Sequence, residues 1–251
     1  MTKRIKSKTK LSRQFESGKE LWSFCIANKN AKQKKLNKLF LVPGEHAYKR
    51  KKETERREKR YISQGREPII EWAPRNKTQS LNFTLNLKAK QKLKSYYGNI
   101  TEKQFKKLYY TASSYKGNIT NNFISLLERR LDIAIFRINF APSIFSARQL
   151  ISHGHILVNK KPVNISSYRL KDGDLIEVKK SSYTLVLNNV LTKLKSLELN
   201  QLQNKILSTY PNYIDVNYKT LNAIFLYSPT ITDVTYHNNN MDFKRITQFY
   251  N

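Results

Sequence analysis

Cysteine occurs once in the 251 residues, as Cys25. One thiol can form neither a disulfide within the chain nor a cysteine-rich zinc site, so both are excluded. Cys25 stands among Trp22, Phe24 and Ile26 and reads as a small buried hydrophobe. Histidine is also scarce, with four in the chain: His46, His153, His155 and His237. Zinc usually takes four N or S ligands, so the close pair His153/His155 lacks companions, and no metal or other cofactor is expected. No apolar run reaches the roughly 18 residues that a membrane-crossing helix needs. Acidic residues are few as well: 18 Asp+Glu face 47 Lys+Arg, a net charge of +29. A chain so charged repels itself when alone and makes sense against a polyanion, with nucleic acid first. A membrane-surface protein would concentrate such charge on one strongly amphipathic helix. Here it is spread over most of the chain, so no membrane partner is expected.

The spread is uneven. Residues 1–60 carry a net +14, residues 61–180 a net +13, and residues 181–251 only +2. The first two stretches read as RNA- or DNA-facing, the last as packing or protein-contact surface. The opening MTKRIKSKTKLSRQ has no apolar core for a secretory signal and no apolar helical face. It reads as a mature, RNA-seeking arm.

Along the chain, PGEHAYKRKK (43–52) is a Pro-Gly turn running into cations. KKETERREKR (51–60) can form a helix paired at i,i+4, and residues 61–80 read as a loop. Residues 86–118 read as two helices. The first stops near Gly98; the second opens on a Thr101/Gln104 capping box and buries Phe105, Leu108, Tyr109 and Ala112. NNFISLLERRLDIAIFRINF (121–140) reads as one amphipathic helix ending at Asn139. After Pro142 a shorter helix, capped by Ser143 or Ser146, buries Ala147, Leu150 and Ile151 and stops at Gly154. HILVN (155–159) is a strand, Asn159-Lys160 a hairpin turn, and 169–180 an Asp-Gly turn followed by a strand. A Leu-rich helix follows within 181–210. Residues 211–251 read as short strands and loops.

Catalysis at His153 and His155 needs a nucleophile, a partner carboxylate and a pocket. The nearest acids in sequence are Asp132 and Asp172, and neither is close, so no enzyme is expected. The cations nearby fit phosphate better. Arg129 and Arg130 precede the short helix, Arg148 lies on it, and Lys160 and Lys161 lie on the hairpin. Arginines on an outer helix face and a basic hairpin can grip phosphates from two sides, by planar fork and by point charge. The tyrosines of 96–115 fit core packing better than base stacking.

Several of these motifs resemble the small-subunit ribosomal protein four (S-four) family of bacteria and organelles. LERRLD, ARQLISHGHI, the VN…VNI hairpin and the DGD turn, within 126–180, resemble its RNA-binding module. NLKAKQKLKSYYG, KQFKKLYYTASSYKGN, PGEHAYKRKK, PNYIDVNYKTLNAIFLYSP and FYN resemble flanking segments, in the family's order. The family's hairpin carries Asn-Gly where this chain has Asn159-Lys160, and lysine at positive φ is costly, which favours a rearranged turn. The cysteine zinc site of some members cannot be carried over.

The resemblance implies an α+β fold: a helical domain plus an inserted helix-turn-helix and small-sheet RNA-binding module. It divides the chain into a basic extension with an insertion (1–85), a helical domain (86–123) completed by 181–251, and the module (124–180). The lineage-specific parts are taken as residues 1–40 and 53–80. The expected RNA contacts are Arg50, Lys51 and Lys52; Lys88, Lys90, Lys92 and Lys94; Arg129, Arg130 and Arg137; and Ser146, Arg148, Gln149, His153, His155, Lys160 and Lys161. Replacing Arg130 and Arg148 by Ala is expected to weaken RNA binding and leave the fold intact. The implied role is a structural constituent of the small subunit that binds its rRNA, nucleates assembly, touches neighbouring ribosomal proteins and helps line the path of mRNA into the subunit. The alternatives are a free RNA-binding regulator and an RNA-modifying enzyme such as a pseudouridine synthase. The latter needs an Asp in a Gly-Arg-Leu-Asp context, of which RRLD (129–132) is only an echo. Richness in Lys, Asn, Ile and Tyr suits an AT-rich genome, and the N-terminus lacks the usual plastid-type opening. A mitochondrial ribosome is therefore expected, with the plastid as alternative.

Overall fold

Helix boundaries in this chain follow from local chemistry. Thr101 sits in extended backbone and accepts the N–H of Gln104, so the helix Glu102–Ser114 starts there. Ser143 does the same for Ile144–Ser152, accepting the N–H of Ser146. The computed structural model describes residues 81–201, 211–236 and 241–250, with Leu11 and Ser63; at Leu81 and over 193–201 it describes the backbone alone. Arg50, Lys51, Lys52 and the basic segments around them lie outside the described residues.

The chain divides into two compact units, which among the described residues are 81–96 with 241–250, and 97–236. The first unit contains α1 (Leu81–Tyr96) packed against the chain's last helix (Phe243–Tyr250). Asp242 accepts the backbone N–H of Arg245 at 3.2 Å, as an N-cap does, and Ile246 is buried. A helix here replaces the expected strands and loops. Aromatic and amide-rich residues are weak helix formers, and the packing against α1 decides. The Lys90 ammonium lies 3.9 Å above the Phe249 ring.

The second unit begins with α2 (Glu102–Ser114) and α3 (Ile119–Glu128), which pack together, followed by α4 (Leu131–Arg137) and α5 (Ile144–Ser152), also packed together. The expected single helix over 121–140 is thus broken after Glu128. Arg130 adopts extended backbone and bridges Arg169, while the N–H groups of Leu131 and Asp132 reach the carbonyls of Tyr168 and Ser166. A downstream segment takes over donors that the first turn of α4 leaves without helical partners. Asn139 ends α4 at φ 64°, as expected.

The strands β1 (Ile156–Val158), β2 (Lys161–Pro162) and β3 (Leu175–Val178) come next. A short 3₁₀ turn and the helix α6 (Tyr183–Gln201) follow, then β4 (Ile214–Asn217) and β5 (Asn222–Phe225); the last helix is α7. The five strands form one antiparallel sheet, in the order β2-β1-β3-β5-β4. β4 and β5 therefore extend the module's own sheet instead of returning to a helical domain. The units divide at 96/97 and 236/237, not at 123/124 and 180/181. Inward strand residues Ile156, Val158, Ile176, Val178, Ala223 and Phe225 are buried and join the core.

Candidate nucleic-acid interface

The joint between α5 and β1 is built by one residue that needs positive φ. Gly154 stands at φ +72°; its N–H reaches the Ile151 carbonyl, and that of His155 reaches Leu150. The two bonds close the helix as a Schellman cap. His153 is left exposed, its ring stacked on that of His155 with centroids 5.9 Å apart. His155 Nδ1 lies 2.7 Å from Ser182 Oγ. Ser146 and Gln149 on α5 and His153 at its C-cap follow at i, i+3, i+7 and so share a face. Gln149 and His153 are exposed and Ser146 half-buried.

The hairpin is not rearranged. Asn159 and Lys160 both take positive φ, 51° and 66°, as a two-residue primed turn requires. The Asn159 side chain anchors it, donating to Asp174 Oδ1 at 2.9 Å and accepting the Leu175 N–H at 3.0 Å. Lys160 and Lys161 project from this anchored turn and are exposed. Other cations near this sheet, not expected as RNA contacts, are exposed too: Arg169, Lys171, Lys179 and Lys180. The Lys179 N–H bonds the His155 carbonyl, which puts the Lys179-Lys180 pair beside the joint. Its signal was the KK ending the last module strand.

The arginines are placed otherwise. Arg130 is only 6 % exposed and forks onto Asp132, at 3.0 and 2.9 Å. Arg148 donates through Nε to the same carboxylate at 2.8 Å, and through its other nitrogens to the carbonyls of Gly98 and Tyr97. Gly98 has φ +74°, and a Cβ there would lie 2.7 Å from Arg148 Nη2. Arg137 forks onto Glu128, at 3.1 and 2.7 Å, and reaches the Thr235 carbonyl. Glu128 also accepts the hydroxyls of Tyr97 at 2.7 Å and Tyr213 at 2.8 Å, and Tyr236 joins Tyr97. Burial, then the Glu128 charge, pushes both the Tyr97 and Tyr213 phenols well above their ordinary value. Arg129 bonds Asp172 at 2.6 Å and Ser228, while its buried Nε has no partner. The expectation that Arg130 and Arg148 lie on an outer face and can be removed without loss of fold is corrected: both are committed to a buried carboxylate. Glu128 and Asp132, which hold these arginines, were not expected to matter here. Their signal was an acid at helical spacing inside an apolar stripe.

In the first unit, Lys88 is exposed and Lys94 half-buried, while Lys90 and Lys92 are buried at 6 and 7 % exposure. The tyrosines split: Tyr96, Tyr97 and Tyr109 are buried, and Tyr110 and Tyr115 are half exposed. Tyr110 shares the outer face of α2 with exposed Lys103, Lys106 and Lys107. Among the described residues no three His, Cys, Asp or Glu stand close enough to hold a metal, and no helix is long and apolar enough to cross a membrane.

Two family models match this chain: the S4 domain over residues 129–176, and the ribosomal protein S4/S9 N-terminal domain over residues 3–128. The second match runs through the stretches 1–40 and 53–80, which were expected to be lineage-specific. Small ribosomal subunit protein uS4 of Dinoroseobacter shibae is 36 % identical over 94 % of this chain and 92 % of its own length. That of Acidiphilium cryptum is 37 % identical over 94 % and 93 %. The protein of the same name from Phenylobacterium zucineum is 46 % identical over 64 % of this chain and 74 % of its own length.

Proposed function

The chain belongs to the ribosomal protein uS4 family, and from that premise we propose that it is a structural constituent of the small ribosomal subunit that binds small-subunit rRNA. The observation that carries this reading is the end-to-end similarity, over 94 % of the chain, to proteins so named. An enzyme built on the same module would need a catalytic domain besides it, and the similarity to ribosomal proteins takes up that length. The geometry supports the reading: an anchored basic hairpin, a polar helix face and a capped joint meet in one small rigid element, with cations facing water.

The RNA contacts centre on Gln149, His153, Lys160 and Lys161, with Lys179 and Lys180 beside them. Ser146 and His155 support the joint. Arg130, Arg137 and Arg148 act from within, by holding the helices that carry this face. Lys88 and Lys94, with Lys90 and Lys92 behind them, and the Arg50–Lys52 run add contacts from other parts of the chain. Through these the protein nucleates subunit assembly, touches neighbouring ribosomal proteins and helps line the path of mRNA into the subunit. The ribosome is mitochondrial; the support is compositional, the wealth of Lys, Asn, Ile and Tyr, and a plastid ribosome is the second reading.

The purified chain binds small-subunit rRNA with affinity that falls steeply as salt rises, because each neutralised phosphate releases counterions. Binding indifferent to salt would overturn the reading. Mass spectrometry of small subunits purified from mitochondria finds the chain there; its presence in plastid subunits instead decides for the second organelle.

A further inference from the structure

One face of the second unit does not carry the charge of the rest. Strand register defines it. Pairing places Leu157, Glu177, Asn222 and Asn217 in one row across the sheet, and Leu175, Ile224 and Asp215 in the next. Directly paired residues point to the same side. The residues between these rows (Val158, Ile176, Ala223 and Val216) are buried, so both rows point outward. Leu226 follows Ile224 at the next outward position beyond β5.

No lysine or arginine occupies any of these eight positions, although the chain bears +29. Two are carboxylates, Glu177 and Asp215, and four are aliphatic. Ile224 is 39 % and Leu226 45 % exposed, and Tyr227 beside them is 42 % exposed. Leu157 and Leu175 are half-buried. Apolar groups grouped this way on a soluble surface mark an interaction site. RNA does not suit its centre: Lys179, the next outward position beyond Glu177, stands at the edge beside the joint, and a phosphate backbone brought over Asp215, Ile224 and Leu226 meets a carboxylate and apolar groups and is repelled and uncompensated.

We propose that this outer sheet face, centred on Leu175, Ile224 and Leu226, docks a neighbouring ribosomal protein through a segment that combines aliphatic or aromatic side chains with Lys or Arg. The apolar residues seat against Ile224 and Leu226, and the cations meet Asp215 and Glu177. The face thus separates the two kinds of partner: RNA on the hairpin and joint, protein on the outer sheet. The proposal rests on the ribosomal reading above and adds where the protein neighbour lies and what chemistry it carries.

The test is a photo-crosslinking residue, p-benzoylphenylalanine, placed at Leu226 in the full chain and, separately, at Lys160. Both are assembled into small subunits and irradiated. At Leu226 the expected adduct is a peptide of another ribosomal protein containing Lys or Arg and apolar residues. At Lys160 it is rRNA. An adduct to rRNA at Leu226, to a second copy of this chain, to a peptide without cations, or no adduct at all, overturns the proposal. Failure of the chain to enter subunits or bind rRNA at all overturns the ribosomal reading instead. A double variant, Ile224→Lys with Leu226→Lys, separates the two effects without the crosslinker. Binding of the purified chain to rRNA stays within about twofold of wild type or tightens, while the variant is lost from assembled subunits in competition with wild type. Equal retention of both proteins counts against the docking face.

Discussion

On the α3–α4–α5 side of the second unit the arginines turn inward; on the β1–β2 hairpin the lysines turn outward. Arg130, Arg137 and Arg148 each end on a fully buried carboxylate, Asp132 or Glu128. Lys160 and Lys161 end in water. The difference follows from side-chain chemistry. A guanidinium is planar, weakly hydrated and rich in donors, so inside the fold it can serve a carboxylate and one or two backbone carbonyls at once, as Arg137 and Arg148 do. An ammonium is a strongly hydrated point charge and is more easily left on the surface, where it remains available to phosphate. One net charge therefore divides into cations that build the platform and cations left on its surface.

Asp132 is the point at which this division breaks most severely. Asp132→Ala leaves Arg130 and half-buried Arg148 without their shared carboxylate, and costs about 3–5 kcal/mol, the usual result of orphaning a buried charge. Urea unfolding of the full chain measures it. Arg130→Ala with Arg148→Ala is also destabilising, and any loss of RNA binding tracks the loss of fold. If that double variant instead keeps its unfolding midpoint and loses only RNA affinity, the inward arginines belong with the outward lysines.

Tyr213→Phe removes one hydrogen bond to the Glu128 carboxylate and costs about 1.5–3 kcal/mol, read the same way. The buried phenols add a pH dependence. Both Tyr97 and Tyr213 titrate above their unfolded value, so above about pH 10 the unfolded chain releases protons that the native chain holds. These two phenols leave stability unchanged below that pH and lower it above, by up to roughly 1.4 kcal/mol per pH unit for each. A denaturation series between neutral pH and pH 11 shows the decline, and Tyr213→Phe halves its slope.

The outward lysines give smaller and different effects. Lys160→Ala with Lys161→Ala leaves the unfolding midpoint within about 0.5 kcal/mol. It lowers the slope of log affinity against log salt by about 1 for each phosphate no longer neutralised. Lys160→Gly relieves a side chain held at φ 66° and stabilises the hairpin by up to about 1 kcal/mol, while also removing a cation. A variant more stable yet weaker on RNA is the sharpest separation of platform from contact.

Much of this was legible in the sequence because the signals are local. The caps at Thr101 and Ser143, the stop at Gly154 and the Asn159-Lys160 turn each depend on residues a few positions apart. What was not legible depends on distance along the chain. The apolar stripe over 121–140 is continuous, and only the bonds from Leu131 and Asp132 to Tyr168 and Ser166, with that from Leu170 to Arg129, reveal that the helix is broken. Residues 214–225 look like strands, but nothing nearby says which sheet they enter. The inward arginines looked like surface charge because their partners are two acids whose burial comes from packing. Asp132 is two residues from Arg130 and sixteen from Arg148. Composition therefore found the RNA-binding character, and could not apportion it.

The Glu128 carboxylate has a consequence for the order of synthesis. Tyr97 precedes it by 31 residues and is present from the start, whereas Tyr213 follows it by 85. A chain emerging from its amino end exposes this carboxylate, with Arg137 nearby, long before its last hydroxyl exists. Strands β4 and β5, which extend the sheet beyond β3, arrive equally late. Closing so long a loop is slow compared with forming local helices. The helix pair and hairpin can thus form before β4 and β5 are available to them. Segment 211–225 then acts as a clasp: Tyr213 closes over the carboxylate and β4 and β5 complete the sheet edge.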